Sequence, residues 1–176
     1  MENNSPVVDS DIVKVDKYEP HKIANGKNDA TFFVASDDID MADLQRYRQE
    51  TQTEYLIAIT TTNKDYDCLK LADNVILCSP NEVQLVMQAF QLLHSGSGII
   101  GMDWNEVKWA ISSGRNIEFL HGMASGENCV ALACEQLIPK LKNLSSNYPI
   151  KNVMINMYAD ISFGCEQQDF IIQQID

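Results

Sequence analysis

ATFFVASDDIDMADLQRYRQETQTEYLIAITT, residues 30–61, decides the fold. Ala30–Ala35 is a short run of aromatic, branched and small residues, the composition of a buried strand. SDDID ends that run. Met41–Glu50 is polar but helix-compatible and carries Leu44 and Tyr47 on one side. Tyr55–Thr61 is a second strand-sized apolar run. Strand, helix and strand within 32 residues make the basic unit of an α/β sheet rather than of a helical bundle.

The alternation continues on both sides. Asn74–Cys78, NVILC, predicts a third strand. Ser79–His94 predicts a helix with a reciprocal cap: Ser79 at the N-cap, Pro80 at the first helical position and Glu82 as the capping carboxylate. Val83, Val86, Met87, Phe90 and Leu93 give it one buried stripe, and SGSG at 95–98 stops it. Ile99 and Ile100 allow a short extended piece. In Gly101–Leu141 two further helices are expected. Asp103 caps the first, with Glu106 three residues on and Val107, Ala110 and Ile111 behind them. Ser125 caps the second, with Glu127 in its first turn and Val130, Ala133, Cys134, Leu137 and Leu141 as its stripe. A glycine-bearing link containing Gly114, Gly122 and Gly126 joins them. Lys151–Tyr158 predicts another strand, and Ser162–Asp176 a turn followed by a helix carrying Phe170, Ile171 and Ile172. Residues 1–29 are polar and broken by Pro6, Pro20 and Gly26. They read as an arm with a short edge strand at Asp11–Val15. The expected architecture is a polar arm at 1–29 and a compact α/β region at 30–176. That region has helices packed on a mainly parallel or mixed sheet, with room for two small lobes joined near 95–102.

The chain has 176 residues, 45% of them hydrophobic, enough for one substantial core. Its longest apolar runs fall far short of a membrane span, and the polar, acidic N-terminus does not read as a secretory signal. Thirteen basic residues stand against 25 acidic ones, a net charge of -12. Such a surface repels nucleic acid and anionic membranes and steers cationic protein partners toward itself. The five cysteines, Cys68, Cys78, Cys129, Cys134 and Cys165, fit neither a disulfide framework nor a zinc pattern. A reducing, cytoplasmic setting is the expectation.

Each chemical motif has a structural counterpart. Asp103 and Glu106 have the spacing of a carboxylate pair that activates water or holds a divalent cation, and equally that of a helix cap. Ser36, Asp37, Asp38 and Asp40 follow a strand, where α/β sheets bind ligands, but no phosphate-cradling glycine loop accompanies them, and capping explains them. GMASGEN has the composition of an anion nest without a nearby lysine. His21, His94 and His121 match no metal-binding spacing. Ser125, His121 and Glu127 lack a strand–turn–helix elbow. Trp104 and Trp109 are core residues or aromatic anchors of an interface. No catalytic set, cofactor or metal site is predicted.

Three runs resemble the FtsZ branch of the tubulin superfamily, the bacterial cell-division GTPases. Gly98–Val107, GIIGMDWNEV, is similar to that family's GLINxDFxDV loop. His121–Glu135, HGMASGENCVALACE, is similar to GVASGEDRAEEAAE. Asn152–Asp160, NVMINMYAD, followed by Ile161–Glu166, is similar to GVLVNITGG and the turn into DLxLxE. The three occur in the family's order within 30–175. The resemblance implies a partial FtsZ/tubulin-like scaffold, cut short of the later strands and with the long central helix shortened or absent. It also implies the loss of GTP chemistry. The family's catalytic asparagine corresponds to Gly101, its first aspartate is kept as Asp103, and its second is Glu106. The glycine-rich phosphate loop corresponds to Ser36–Asp40, where carboxylates replace glycines and oppose phosphate.

With the nucleotide site gone, binding remains. The leading expectation is a non-catalytic acidic immunity or antitoxin protein that neutralises a cationic toxin such as a nuclease. Asp37, Asp38, Asp40, Asp43, Trp104 and Glu106 are its candidate contact residues. The alternatives are a regulator of FtsZ-type filament assembly, using the surface around Met102–Val107, and a degenerate nucleotide-binding protein.

Overall fold

The computed structural model describes residues 14–92, 104–157, 159 and 163–175. Five strands lie in the order of the chain: β1 (Val15–Lys17), β2 (Ala30–Val34), β3 (Tyr55–Thr60), β4 (Asn74–Leu77) and β5 (Asn116–Glu118). Among the described residues all four pairings are parallel. The register sets Phe32 beside Ile57 and Ile59 beside Ile76. Parallel strands need crossovers and are covered on both faces, and so they read as unbroken apolar runs. Leu56, Ile57, Ala58 and Ile59 are all fully buried.

The helices divide between the faces. α1 (Met41–Glu50) and a 3-10 turn at Asp67–Leu71 cover one, where Leu44, Tyr47 and Cys68 meet Phe33, Leu56 and Ala58. α2 (Val83–Leu92) and α3 (Trp104–Ser112) cover the other, where Val86, Phe90, Val107 and Ile111 meet Phe32, Ile57 and Ile76. The strand order advances in one direction throughout. The connections on opposite faces are therefore of opposite hand, so one departs from the usual right-handed rule.

Local chemistry sets the boundaries. The Asp40 carboxylate accepts from the amides of Ala42 and Asp43 at 2.8 and 3.3 Å and starts α1. The capping box of Ser79 and Glu82 is present, the Ser79 amide donating to Glu82 Oε2 at 2.9 Å. The first turn after it, Pro80–Glu82, is 3-10 rather than α. The polar threonines at the amino ends of the strands form a chain of hydroxyls. Thr31 meets Thr53, Thr53 meets Thr51, and Thr51 donates to the Tyr47 carbonyl, all at 2.7–2.8 Å. That chain satisfies groups that would otherwise be costly to bury.

Several expectations are corrected. The edge strand of the N-terminal segment is Val15–Lys17, while residues 11–13 lie outside the described residues. The glycine-bearing link contains β5, three residues too short to carry a periodic signal. Ser125 does not cap the following helix. α4 (Cys129–Asn147) begins after Asn128, which takes a left-handed conformation at φ 64 after Gly126 at φ 83, and Glu127 precedes the first turn. These two positive-φ residues turn the chain sharply, and the turn rather than a serine cap sets the start. Lys151–Met157 forms neither helix nor strand. α5 (Cys165–Ile175) follows as expected. The proposed cap at Asp103, residues His94–Met102 and the Ile99–Ile100 piece lie outside the described residues. No helix among the described residues is long and apolar enough to cross a membrane.

α4 is held to the loop after β5 by two contacts. A Cβ at Gly122 would stand 2.6 Å from the Ala133 carbonyl oxygen and 2.9 Å from Leu137 Cγ, so only glycine permits this approach. The Gln136 side-chain amide pairs with both the amide and the carbonyl of Met123, at 3.1 and 3.0 Å.

The two tryptophans separate cleanly. Trp104 is buried, its ring edge-on to Tyr55 at 6.0 Å, whereas Trp109 is 70% exposed on the outer side of α3. Trp104→Ala should cost about 3–5 kcal/mol by cavity formation, and Trp109→Ala should stay within about 0.5 kcal/mol. Urea denaturation of both variants measures the difference. Equal stabilities would refute this division.

Candidate functional site

Carboxylates collect at the carboxyl edge of the sheet. β1 runs out into Glu19 and Pro20, and β2 into Ser36, Asp37, Asp38 and Ile39. Between these two strand ends lies a depression of about 230 Å³. Its floor is apolar, formed by Val34, Ile39, Tyr18 and Pro20, and its rim carries Glu19, Asp38 and Lys17. Lys17 pairs with Glu19 at 3.1 Å, both side chains well exposed. Asp37, beside the depression, pairs with Lys64, again at the surface. Exposed pairs of this kind contribute little stability and exchange readily for other partners.

The six sequence-predicted residues do not form one surface. Asp37, Asp38 and Asp40 are exposed in the turn after β2, although Asp40 also starts α1. Asp43 lies one helical turn on and points inward: it accepts from the Tyr18 hydroxyl at 2.6 Å and the His21 amide at 3.1 Å, and it pairs with Arg46. Trp104 belongs to the core on the α2–α3 face. Glu106 is exposed on α3, one turn from Trp109. The acidic turn after β2 therefore holds three of the predicted residues. Its apolar neighbours Val34 and Ile39 and its second rim at Glu19 were not singled out in the sequence. Val34 is the one exposed residue of β2, at 36%, and ends an otherwise buried run.

A second carboxylate group lies at the ends of β4 and β5. Burial first, and then the charges of Glu82 and Glu118, push the Cys78 thiol up; burial and Glu82 push the Glu118 carboxyl up. A thiol stabilised in its neutral form is a poor nucleophile. Among the described residues, no group of three or more histidine, cysteine, aspartate or glutamate side chains has the arrangement of a metal site.

The acidic edge is tied down by two tyrosines. Burial and the Asp43 carboxylate push the Tyr18 hydroxyl well above its ordinary value. Burial and Asp16 do the same to Tyr47. For Asp16, burial pulls upward, but hydrogen bonds from Lys22, Tyr47 and the Lys17 amide outweigh it and the carboxyl ends lower than usual. Tyr18 and Tyr47 stack edge-to-face at 5.5 Å. The segment after β1 is thereby docked on α1, which fixes one wall of the depression.

No protein-family model, curated protein or solved structure matches the chain.

The Tyr18 bond first, then the His21 amide, with Arg46 assisting, holds the Asp43 carboxyl below its ordinary value. A carboxyl depressed by folding stabilises the protein above its unfolded-state value, and that contribution is lost as pH falls through the folded value. Asp43→Asn should therefore be less stable than the parent at pH 7, with the gap narrowing below about pH 4. Urea midpoints at pH 7 and pH 3 test this, and a gap independent of pH would contradict it.

Proposed function

We propose that the chain is a non-catalytic acidic binding protein that neutralises a cationic protein toxin, such as a nuclease. The depression between β1 and β2 carries the reading. An apolar floor with carboxylates on its rim suits a lysine or arginine side chain, whose aliphatic stem packs while its head stays charged. Val34 and Ile39 would receive the stem, and Glu19 and Asp38 the head. Displacing Lys17 or Lys64 from its surface pair costs little. A nuclease keeps cationic side chains for its phosphate backbone, and an inhibitor uses carboxylates against the same surface. In this reading Asp43 supports the site from inside through Tyr18, Asp37, Asp38 and Asp40 make the contact, and Trp104, on the opposite face of the sheet, takes no part.

The scaffold is proposed to be a reduced FtsZ/tubulin-like one without GTP chemistry. Its support is the sequence resemblance together with the turn after β2, where exposed carboxylates oppose phosphate. A second reading, regulation of FtsZ-type filament assembly, is favoured by the outer face of α3, where Glu106 and the exposed Trp109 lie one turn apart. Calorimetry with GTP and magnesium should give no binding, and micromolar affinity would overturn the reduced-scaffold reading.

Affinity capture from the native cell, followed by toxicity and nuclease assays of the captured protein, tests the main reading. A cationic toxin blocked by the 176-residue chain is expected. Asp38→Lys with Glu19→Lys should slow its association about tenfold or more at low salt, because surface charges chiefly govern encounter. Recovery of a division polymer alone would move the conclusion to the second reading.

A further inference from the structure

The turn after β2 and the loop after β3 meet at the carboxyl edge of the sheet. Hydroxyls fold the loop locally. Thr60 donates to the Thr62 carbonyl at 2.8 Å, and the Lys64 amide donates to Thr62 Oγ1 at 3.3 Å. From this loop the Lys64 side chain reaches across to pair with Asp37 in the turn after β2. Its Nζ also lies over the Tyr66 ring, 4.8 Å from the centroid. One ammonium group is thus held by a carboxylate and an aromatic face together. Both groups attract basic side chains, the carboxylate through a charge-assisted hydrogen bond and the ring through its quadrupole.

The fold fixes the two holders and leaves the occupant loose. Tyr66 is half-buried and packs against the core on the α1 face. The turn that carries Asp37 is tied down on the residues just before it: the Ala35 amide donates to the Ile59 carbonyl at 2.8 Å, and Cys68 Sγ donates to the Ser36 carbonyl at 3.6 Å. Cys68 lies in the 3-10 turn that directly follows Tyr66, so this contact links the ring's segment to the carboxylate's. Lys64, by contrast, sits on a flexible four-carbon stem with its side chain 52% exposed, and Asp37 is 71% exposed. A pair so open to water is weakly held. A preformed carboxylate and ring with a replaceable ammonium between them have the character of a binding site filled from within.

We propose, on the basis of the cationic-partner reading above, that Asp37 and the Tyr66 ring form a second cation subsite, which Lys64 fills in the free chain and yields to a lysine or arginine of the partner. The depression between β1 and β2 takes one basic side chain and this subsite takes another, so the partner presents a pair of them on one face. Lys64 is then an intramolecular competitor. A single cation in dilute solution has to displace it unaided, whereas a partner already seated in the depression offers its second basic side chain at high effective concentration. Lys70 supplies the contrast: it pairs with Asp67 within its own 3-10 turn at 2.6 Å.

The probe is blocked hexalysine, titrated by calorimetry into the full chain at about 20 mM salt, where attraction between surface charges is little screened. Binding by the parent is expected. Lys64→Gln should bind about threefold to fivefold more tightly. Lys70→Gln removes the same charge and should gain less. In the Lys64→Gln background, Tyr66→Leu, whose fold is checked by melting, should lose part of that gain with no change in net charge. In the parent carrying isotope-labelled lysine, the Tyr66 ring should shift the Lys64 ε-protons upfield, and added unlabelled hexalysine should return them toward the position of free lysine. Absence of binding by the parent and by every variant would overturn the subsite and the cationic-partner reading together. Binding by the parent would leave that reading standing and overturn the subsite alone in any of three cases: Lys64→Gln binds no more tightly than Lys70→Gln, the whole gain survives Tyr66→Leu, or the Lys64 ε-protons stay unmoved through the titration.

Discussion

Burial of β3 on both faces is the constraint from which the rest of the structure follows. Leu56 and Ala58 point to one side and Ile57 and Ile59 to the other, and all four are removed from solvent. A strand apolar on alternate positions of both sets cannot lie at a surface, so a helical layer is required on each side. α1 supplies one with Leu44 and Tyr47, and α2 and α3 supply the other with Val86, Phe90 and Val107. At about 25 cal/mol per Å² of apolar area, complete burial of one such side chain is favourable by about 1.5–3 kcal/mol. No surface ion pair among the described residues competes with that, since exposed pairs contribute about 0–1 kcal/mol each. The charged residues therefore decide what the protein meets rather than whether it folds.

The segment before β2 shows a different kind of cohesion. Outside Tyr18 it buries little apolar surface, and it is held by polar contacts: Tyr18 to Asp43, Tyr47 to Asp16, Lys22 to Asp16, and the Lys14 amide to Asp29 at 2.8 Å. Each bond is modest alone, but a carboxylate that accepts from a buried hydroxyl makes a charge-assisted bond worth more than a neutral one. The edge strand can then be only three residues long and still keep its register. The same contacts position Glu19 and Pro20 against Val34, so one polar network serves both the sheet edge and the depression beside it.

Legibility in the sequence followed the strength of the local signal. β2, α1, β3 and β4 were readable because each combines a run of apolar residues, or two residues spaced for one face, with a definite stop. β5 was not, because Asn116–Glu118 has one apolar residue and owes its pairing to β4, as the bond from the Val75 amide to the Arg115 carbonyl shows at 2.8 Å. Ser125 looked like a cap because serine before an apolar stripe usually is one; the left-handed Asn128 took the role through backbone geometry that composition does not encode. VMINMY carried a true strand propensity, but pairing is a tertiary property, and here asparagine side chains bonded to carbonyls of α2 and α3 hold the segment instead. At the candidate site, the acidic turn was legible as a charge cluster. Asp43 was indistinguishable from its neighbours because inward or outward direction depends on where Tyr18 lies, 25 residues away.

The two ends of the chain present unlike surfaces. Residues 14–92 carry 13 acidic and eight basic side chains, whereas residues 104–157 and 163–175 together carry six and five. Exposed large apolar residues follow the opposite gradient: of eleven, only Ile23 and Val34 precede Trp109. Long-range steering acts over about 8–10 Å at physiological salt, so a cationic partner is guided to the acidic half before any contact forms. Steering raises the association rate but holds nothing, and a lasting complex needs desolvated apolar contact at its centre. On the acidic half the described exposed apolar residues are Ile23 and, beside Ile39 in the depression, Val34. The larger exposed apolar area lies on the less charged half, around α4, α5 and the segment between them. A partner bound through charge alone would be fast and weak. A partner that reached both halves would gain a second site at high effective concentration, and the combined affinity would exceed either contact without any further interaction being added.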